Sequence, residues 1–285
     1  MLSALLLAAL SLPSPGDHLR SLVVGGIERH YVVHLPRPAR RGPLALVVLL
    51  HGAGGTGRRV AASTGLSAEA DRRGFVAVYP DGVGGEWHDG RWPDAVDDVA
   101  FVRSMLDTLA SELPVDPGRV YAAGISNGAM FAHRLGCDLP GRFAAIGAVA
   151  GGIPAAVAER CTGGPPLSFI AFNGTADQLV PFDGGGALQA AVPSAAHWAA
   201  ADGCATTPAS ALEPDRAPGD GTRVRRWRWT GCAAGTAVTL YAVQGGGHSW
   251  PGGYQPRIRI LGRTTRDLSA TRTIVAFFLA HPRVR

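Results

Sequence analysis

The segment RVYAAGISNGAMFAHRL, Arg119 to Leu135, decides how this chain is read. An apolar run climbs to Gly124, Gly-Ile-Ser-Asn-Gly follows, and small residues then continue. In a chain with 39 glycines the five-residue pattern carries little weight alone, so context decides. The turn signal Asp116-Pro117-Gly118 precedes a short strand at Val120–Ala123, and Met130, Phe131, Arg134 and Leu135 fall at spacings a helix uses. A strand that turns sharply into a helix holds a serine hydroxyl up at the edge of a sheet. Glycines on either side leave room for such a strained turn. Ser126 is therefore the expected nucleophile.

Working outward, continuous apolar runs recur at Leu44–Leu50, Phe75–Tyr79, Ile146–Ala150, Leu167–Phe172 and Val238–Val243. Strands of that kind are covered on both faces. Helical patterns lie between them. The clearest puts Val99, Val102, Leu106, Leu109 and Leu113 on one face, with Asp97 or Asp98 as N-cap, and a final helix carries Ile274, Val275, Phe277 and Phe278. Leu19–Val24 and Arg29–Leu35 flank Gly25-Gly26 as a hairpin. The expected fold is α/β: a mostly parallel central sheet opened by an N-terminal antiparallel hairpin, with helices on both faces. We expect a leader over residues 1–16 and one catalytic domain over 17–285, with a loop near Thr206 to Thr222.

A serine hydroxyl becomes nucleophilic only when a base takes its proton, and the base needs an acid to orient it. In the α/β-hydrolase order the acid and then the histidine follow the serine, each just past a strand. Asp177 follows Leu167–Phe172, and His248 follows Val238–Val243 on the loop Gln244-Gly245-Gly246-Gly247. Asp183 is the substitute acid. The loop His51-Gly52-Ala53-Gly54-Gly55 after Leu50 is suited to an oxyanion hole, with donors assigned to the N–H groups of Ala53 and Asn127, or Gly54 if the loop is shifted. His51 reads as a loop-fixing residue. Trp87 and Trp250 are candidate substrate contacts. No metal or cofactor is expected: the cysteines lack C-x-x-C spacing, and no Lys follows the glycine-rich loop.

All 27 basic residues are Arg, and the net charge is +5. The charges are scattered except at Arg223–Trp229, which reads as a strand with an Arg-rich exposed face, so a nucleic-acid partner is not expected. The apolar run within Met1–Leu10 is too short to span a membrane and resembles the core of a secretion signal, without a preceding basic residue. For the four cysteines we favour sequence neighbours, Cys137 with Cys161 and Cys204 with Cys232, in an exported, oxidised protein. Localisation is expected to be secreted or periplasmic.

In order along the chain, LLHGAGG at Leu49, YPDGVGGEW at Tyr79, VDDVAFVRSMLDTLA at Val96, VYAAGISNGAMFAHRLGC at Val120, FAAIGAVAG at Phe143, GTADQLVPFDGG at Gly174 and GGGHSWPGG at Gly245 together resemble the secreted esterases grouped as polyhydroxybutyrate depolymerases of the LpqC type, with bacterial feruloyl and acetylxylan esterases. The resemblance covers most of Leu19 to Leu279. It implies an α/β-hydrolase fold, no cofactor, and hydrolysis of carboxylic esters through an acyl-enzyme on Ser126, Asp177 and His248. Two departures are Asn173, where the family usually has His or a similar residue, and the lack of the N-terminal cysteine of lipid-anchored members. The expected partners are small-molecule or polysaccharide-linked esters of the feruloyl or acetyl type. Hydroxyalkanoate polyesters or oligomers are the alternative, and a non-catalytic polysaccharide-binding role is a remote third. The last helix lies near the final residue, so soluble or oligomeric esters are expected over solid polymer.

Overall fold

The structure, a computed structural model, describes residues 14–39, 42–93, 95–255 and 257–283. The expected leader falls mostly on residues 1–13, outside the described residues. The strands are β1 Gly16–Val24, β2 Ile27–Leu35, β3 Leu44–Leu50, β4 Val76–Pro80, β5 Val115–Ile125, β6 Ala145–Val149, β7 Ser168–Gly174, β8 Ala209–Leu212, β9 Arg223–Trp229 and β10 Val238–Gln244. They form one sheet in the order β1-β2-β4-β3-β5-β6-β7-β10-β9-β8. From β4 to β10 in that order the neighbours are parallel, and antiparallel pairs close both edges. The N-terminal hairpin is as expected. The region expected as a loop also contains β8, which pairs with β9 at the far edge.

The continuous apolar run of β3 is explained by what covers it. Leu46, Val48 and Leu50 enter one core, together with Phe101, Phe131, Phe169 and Trp198. Ala45, Val47 and Leu49 enter the other, with Tyr79, Tyr121, Phe172 and Phe278. Helices α3 Asp98–Glu112, α4 Asn127–Asp138, α5 Ala155–Arg160 and α6 Ala191–Ala201 supply the first core, and α1 Gly57–Thr64, α2 Leu66–Arg73 and α7 Ala270–Ala280 the second. Asp97 caps α3, its carboxylate accepting from Ala100 N at 2.8 Å. The two disulfides are Cys137–Cys161 and Cys204–Cys232, as expected. They tie α4 to the end of α5, and the end of α6 to the turn after β9.

One buried group between α4 and α6 sets a pH limit on stability. His133 is fully enclosed, and its Nδ1 accepts from the Trp198 indole N–H at 2.9 Å. The proton therefore sits on Nε2, which has no partner. Burial, aided by the nearby His197, holds the His133 pKa down to about 3. In the unfolded chain it returns to its ordinary value of about 6.5, so below that pH the unfolded state binds a proton the folded state refuses. Stability is intact above pH ~6.5 and falls as pH drops toward the folded-state value. Between pH 7 and pH 5 this one group should cost about 2 kcal/mol. Urea unfolding at both pH values, on the wild type and on His133→Phe, checks it: the extra loss should vanish in the variant. Equal losses in the two proteins would acquit His133.

Candidate active site

Strand β5 ends at Ile125 and α4 begins at Asn127, so Ser126 alone makes the turn, with φ 56° and ψ −125°. A positive φ on serine is strained, and it persists only where surroundings over-determine it. Here Ser126 N donates to Val149 O at 2.9 Å, while Ser126 O accepts from Ala129 N at 2.9 Å and Met130 N at 3.0 Å. The flanking glycines are a packing requirement. A Cβ on Gly124 would strike the Gly128 carbonyl, and one on Gly128 would strike the carbonyls of Leu50 and His51. The start of α4 thus lies directly against β5 and the end of β3.

That contact brings the loop after β3 to the serine: a methyl built on Gly52 would stand 3.3 Å from Ser126 Cβ. His51 holds the loop. Its Nδ1 donates to Gly52 O at 2.8 Å and its Nε2 accepts from Gly82 N at 3.0 Å. Burial lowers its pKa, so it stays neutral with both nitrogens engaged, in the loop-fixing place expected for it. Gly54 N donates to Gly85 O at 2.9 Å, which occupies the alternative donor. The N–H groups of Ala53 and Asn127 have no acceptor among the described residues and remain available to an oxyanion.

Asp177 and His248 meet across neighbouring parallel strands. Both follow the C-terminal ends of β7 and β10, which pair in register from Val238↔Phe169 to Val243↔Gly174. His248 Nδ1 donates to Asp177 Oδ2 at 2.8 Å. The other carboxylate oxygen accepts from Leu179 N and Val180 N, each at 2.9 Å, so the buried acid is held on both oxygens. The two loops are stitched by Ala176 N to Gly246 O at 2.8 Å. Asp183, the substitute acid, is exposed. The structure joins His248 to Asp177 and shows no hydrogen bond from His248 to Ser126. Such bonds commonly tighten only with substrate in place.

The two candidate tryptophans are both buried. Trp87 is 3% exposed, stacked on Phe131 at 5.1 Å and tilted against His51 at 5.0 Å, and its indole N–H donates to His51 O at 3.0 Å. Trp250 is 8% exposed, and its N–H donates to Thr271 Oγ1 at 2.9 Å. Both indoles are buried with their N–H satisfied by protein, as suits a large apolar ring with one polar atom. Sequence reasoning also missed what the Asn127 side chain does. Its Oδ1 accepts from Trp87 N at 2.8 Å, and its Nδ2 donates to Trp87 O at 2.9 Å and to Asp89 Oδ2 at 2.7 Å. Asp98 does more than the capping its place at the start of α3 suggests. It is buried, binding Arg29 at 2.6 Å and the backbone and ring of His88 at 2.8 and 3.0 Å. An Asp-rich stretch before a helix was the only signal for it. Among the described residues no group of three or more His, Cys, Asp or Glu side chains is arranged to hold a metal.

A mostly parallel sheet carrying an acid and a histidine on adjacent strand-end loops, with a strained serine at a strand-to-helix turn, defines a hydrolase of the α/β class. Residues 29–160 match the family described as Esterase PHB depolymerase. The chain is 37% identical to NocK of Nocardia uniformis subsp. tsuyamanensis, a protein whose name places it among the esterases, over 91% of this chain and 82% of that one. It is 28% identical to feruloyl esterase C of Emericella nidulans, over 82% of this chain and 83% of the relative. The acetyl xylan esterase of Aspergillus awamori shares the fold, with a TM-score of 0.64 over 92% of this chain and 99% of its own, at 16% identity. The chain belongs to the esterase family of NocK, and it is a carboxylic ester hydrolase.

Proposed function

We propose that this protein hydrolyses soluble or polysaccharide-linked esters of the feruloyl or acetyl type through an acyl-enzyme on Ser126. The observation that carries the reading is the hydrogen-bonded Asp177–His248 pair past the ends of β7 and β10, in the same parallel sheet whose strand β5 ends in the Ser126 turn. Ser126 Oγ attacks the ester carbonyl carbon as its proton passes to His248 Nε2, the nitrogen left free by the bond to Asp177. The oxyanion accepts from the N–H groups of Ala53 and Asn127. His248 returns the proton to the departing alcohol. Water then gives a proton to His248 and its oxygen to the acyl carbon, releasing the carboxylic acid and restoring the Ser126 hydroxyl. Two disulfides fit folding in an oxidising compartment, which supports a secreted or periplasmic protein.

A second reading, cleavage of hydroxyalkanoate oligomers, draws support from apolar side chains on strand-end loops. Val83, Leu179, Tyr254, Ile258 and Ile260 are all exposed on the loops after β4, β7 and β10. Measuring kcat/KM on methyl ferulate and on a soluble hydroxybutyrate trimer separates the two. Preference for ferulate is the expected outcome; preference for the trimer would move the assignment to polyester turnover. Cleavage of neither above the level of Ser126→Ala would remove both.

A further inference from the structure

The two N–H groups assigned to the oxyanion come from different parts of the chain, Ala53 on the loop after β3 and Asn127 at the start of α4. Their separation must be fixed to a fraction of an ångström for both to reach one oxygen, since donors preorganised for the transition state act without reorganising. The two segments touch at Gly128 and Gly52, but among the described residues those contacts are van der Waals packing and carry no hydrogen bond between the two donors' loops. Trp87 touches both. Its backbone N–H and carbonyl are gripped by the Asn127 side chain at 2.8 and 2.9 Å, and its indole N–H donates to the carbonyl of His51 at 3.0 Å. His51 is two residues before Ala53 in the chain. The bridge is rigid: Asp89 holds the far side of the Asn127 amide at 2.7 Å and is itself paired with Arg91 at 2.8 Å. The Trp87 ring packs on Phe131 and against His51, with centroids 5.1 and 5.0 Å away. Two more bonds tie this segment to the Ala53 side, Gly82 N to His51 Nε2 at 3.0 Å and Gly54 N to Gly85 O at 2.9 Å.

We infer that Trp87 is a positioning residue that sets the spacing of the oxyanion hole, by bridging the carbonyl of His51 to the side chain of Asn127. The inference rests on the proposed roles of Ala53, Asn127 and Ser126, and it replaces a substrate contact for this indole with an action through the backbone. Loss of the indole N–H therefore harms the transition state more than the bound ester, because the charge that needs two aligned donors exists only there.

The test compares the wild type with Trp87→Phe and with a protein carrying benzothienylalanine at position 87, which keeps the shape of the indole and lacks its N–H. Active sites are counted with a fluorophosphonate, so that any misfolded fraction drops out. Per labelled site, kcat on methyl ferulate should fall about 10- to 100-fold in both proteins with KM nearly unchanged. The inhibition constant of a phenylboronic acid, whose tetrahedral adduct places an oxygen in the hole, should rise by a similar factor. A role confined to packing would lower the unfolding midpoint and the labelled fraction, and would leave kcat per site and the boronate constant within twofold of wild type; that result overturns the inference. A wild type that resists the fluorophosphonate and ignores the boronate would fell the Ser126 reading first, and this one with it.

Discussion

Ser126→Ala should lower kcat by about a million-fold, with KM little changed and the fold intact. The size follows from the division of labour in such a site: without the hydroxyl no acyl-enzyme forms, and binding with oxyanion donors alone leaves only a small residual acceleration over water. The intact fold follows from the backbone. Ser126 holds its φ of 56° through its own N–H and carbonyl, bonded to Val149, Ala129 and Met130, and its hydroxyl has no part in those bonds. Alanine meets the same left-handed strain as serine, so the substitution adds none. Pre-steady-state release of p-nitrophenol from p-nitrophenyl acetate gives the clean readout. The wild type should show a burst equal to the enzyme concentration; the variant should show none, with an unchanged urea midpoint. A burst in the variant would move the nucleophile elsewhere.

The parts of this architecture legible in the sequence are those whose signal is local. LALVVLL announces β3 because both faces of that strand enter a core, and every residue in it is buried. The turn at Ser126 is legible because the same two close backbone approaches that shape it also require glycine at 124 and 128. Strand β8 was not legible: Ala209–Leu212 is exposed throughout, so no apolar alternation marks it, and it exists through pairing with β9. Helices α1 and α2 carry few buried side chains and are bounded by cap chemistry at Thr56, Gly65 and Gly74. The Asn127–Trp87–Asp89 and Arg29–Asp98–His88 contacts were hidden for another reason. Most of their partners lie about 40 to 70 positions apart, and only the folded sheet brings those loops together. Trp87 shows the consequence: an aromatic on a strand-end loop suggests a cleft wall, and only the fold shows that its N–H is bonded to the carbonyl of His51.

Asp177→Asn should cost about ten-thousand-fold in kcat while sparing stability, and the contrast with Asp177→Ala explains why. One carboxylate oxygen accepts from Leu179 N and Val180 N at 2.9 Å, and the other from His248 Nδ1 at 2.8 Å. Asparagine keeps an oxygen for the two backbone donors, so the loop stays closed. Its amide nitrogen then faces His248, and an N–H there forces Nδ1 to become an acceptor. The imidazole proton moves to Nε2, the atom that must take the proton of Ser126, and the base is disabled by its tautomer with its position unchanged. Alanine frees the imidazole to choose its tautomer but strips the Leu179 and Val180 N–H groups of their acceptor, and the buried one, Val180, should cost about 1–3 kcal/mol. Asp183 is exposed, and the Nδ1 bond of His248 runs to Asp177. Urea unfolding and kcat on methyl ferulate for both variants therefore separate two functions of one side chain. The asparagine enzyme should be stable and almost inactive, the alanine enzyme less stable. An asparagine enzyme within tenfold of wild type would mean that the Asp177 charge and the tautomer it selects are not what makes His248 a base.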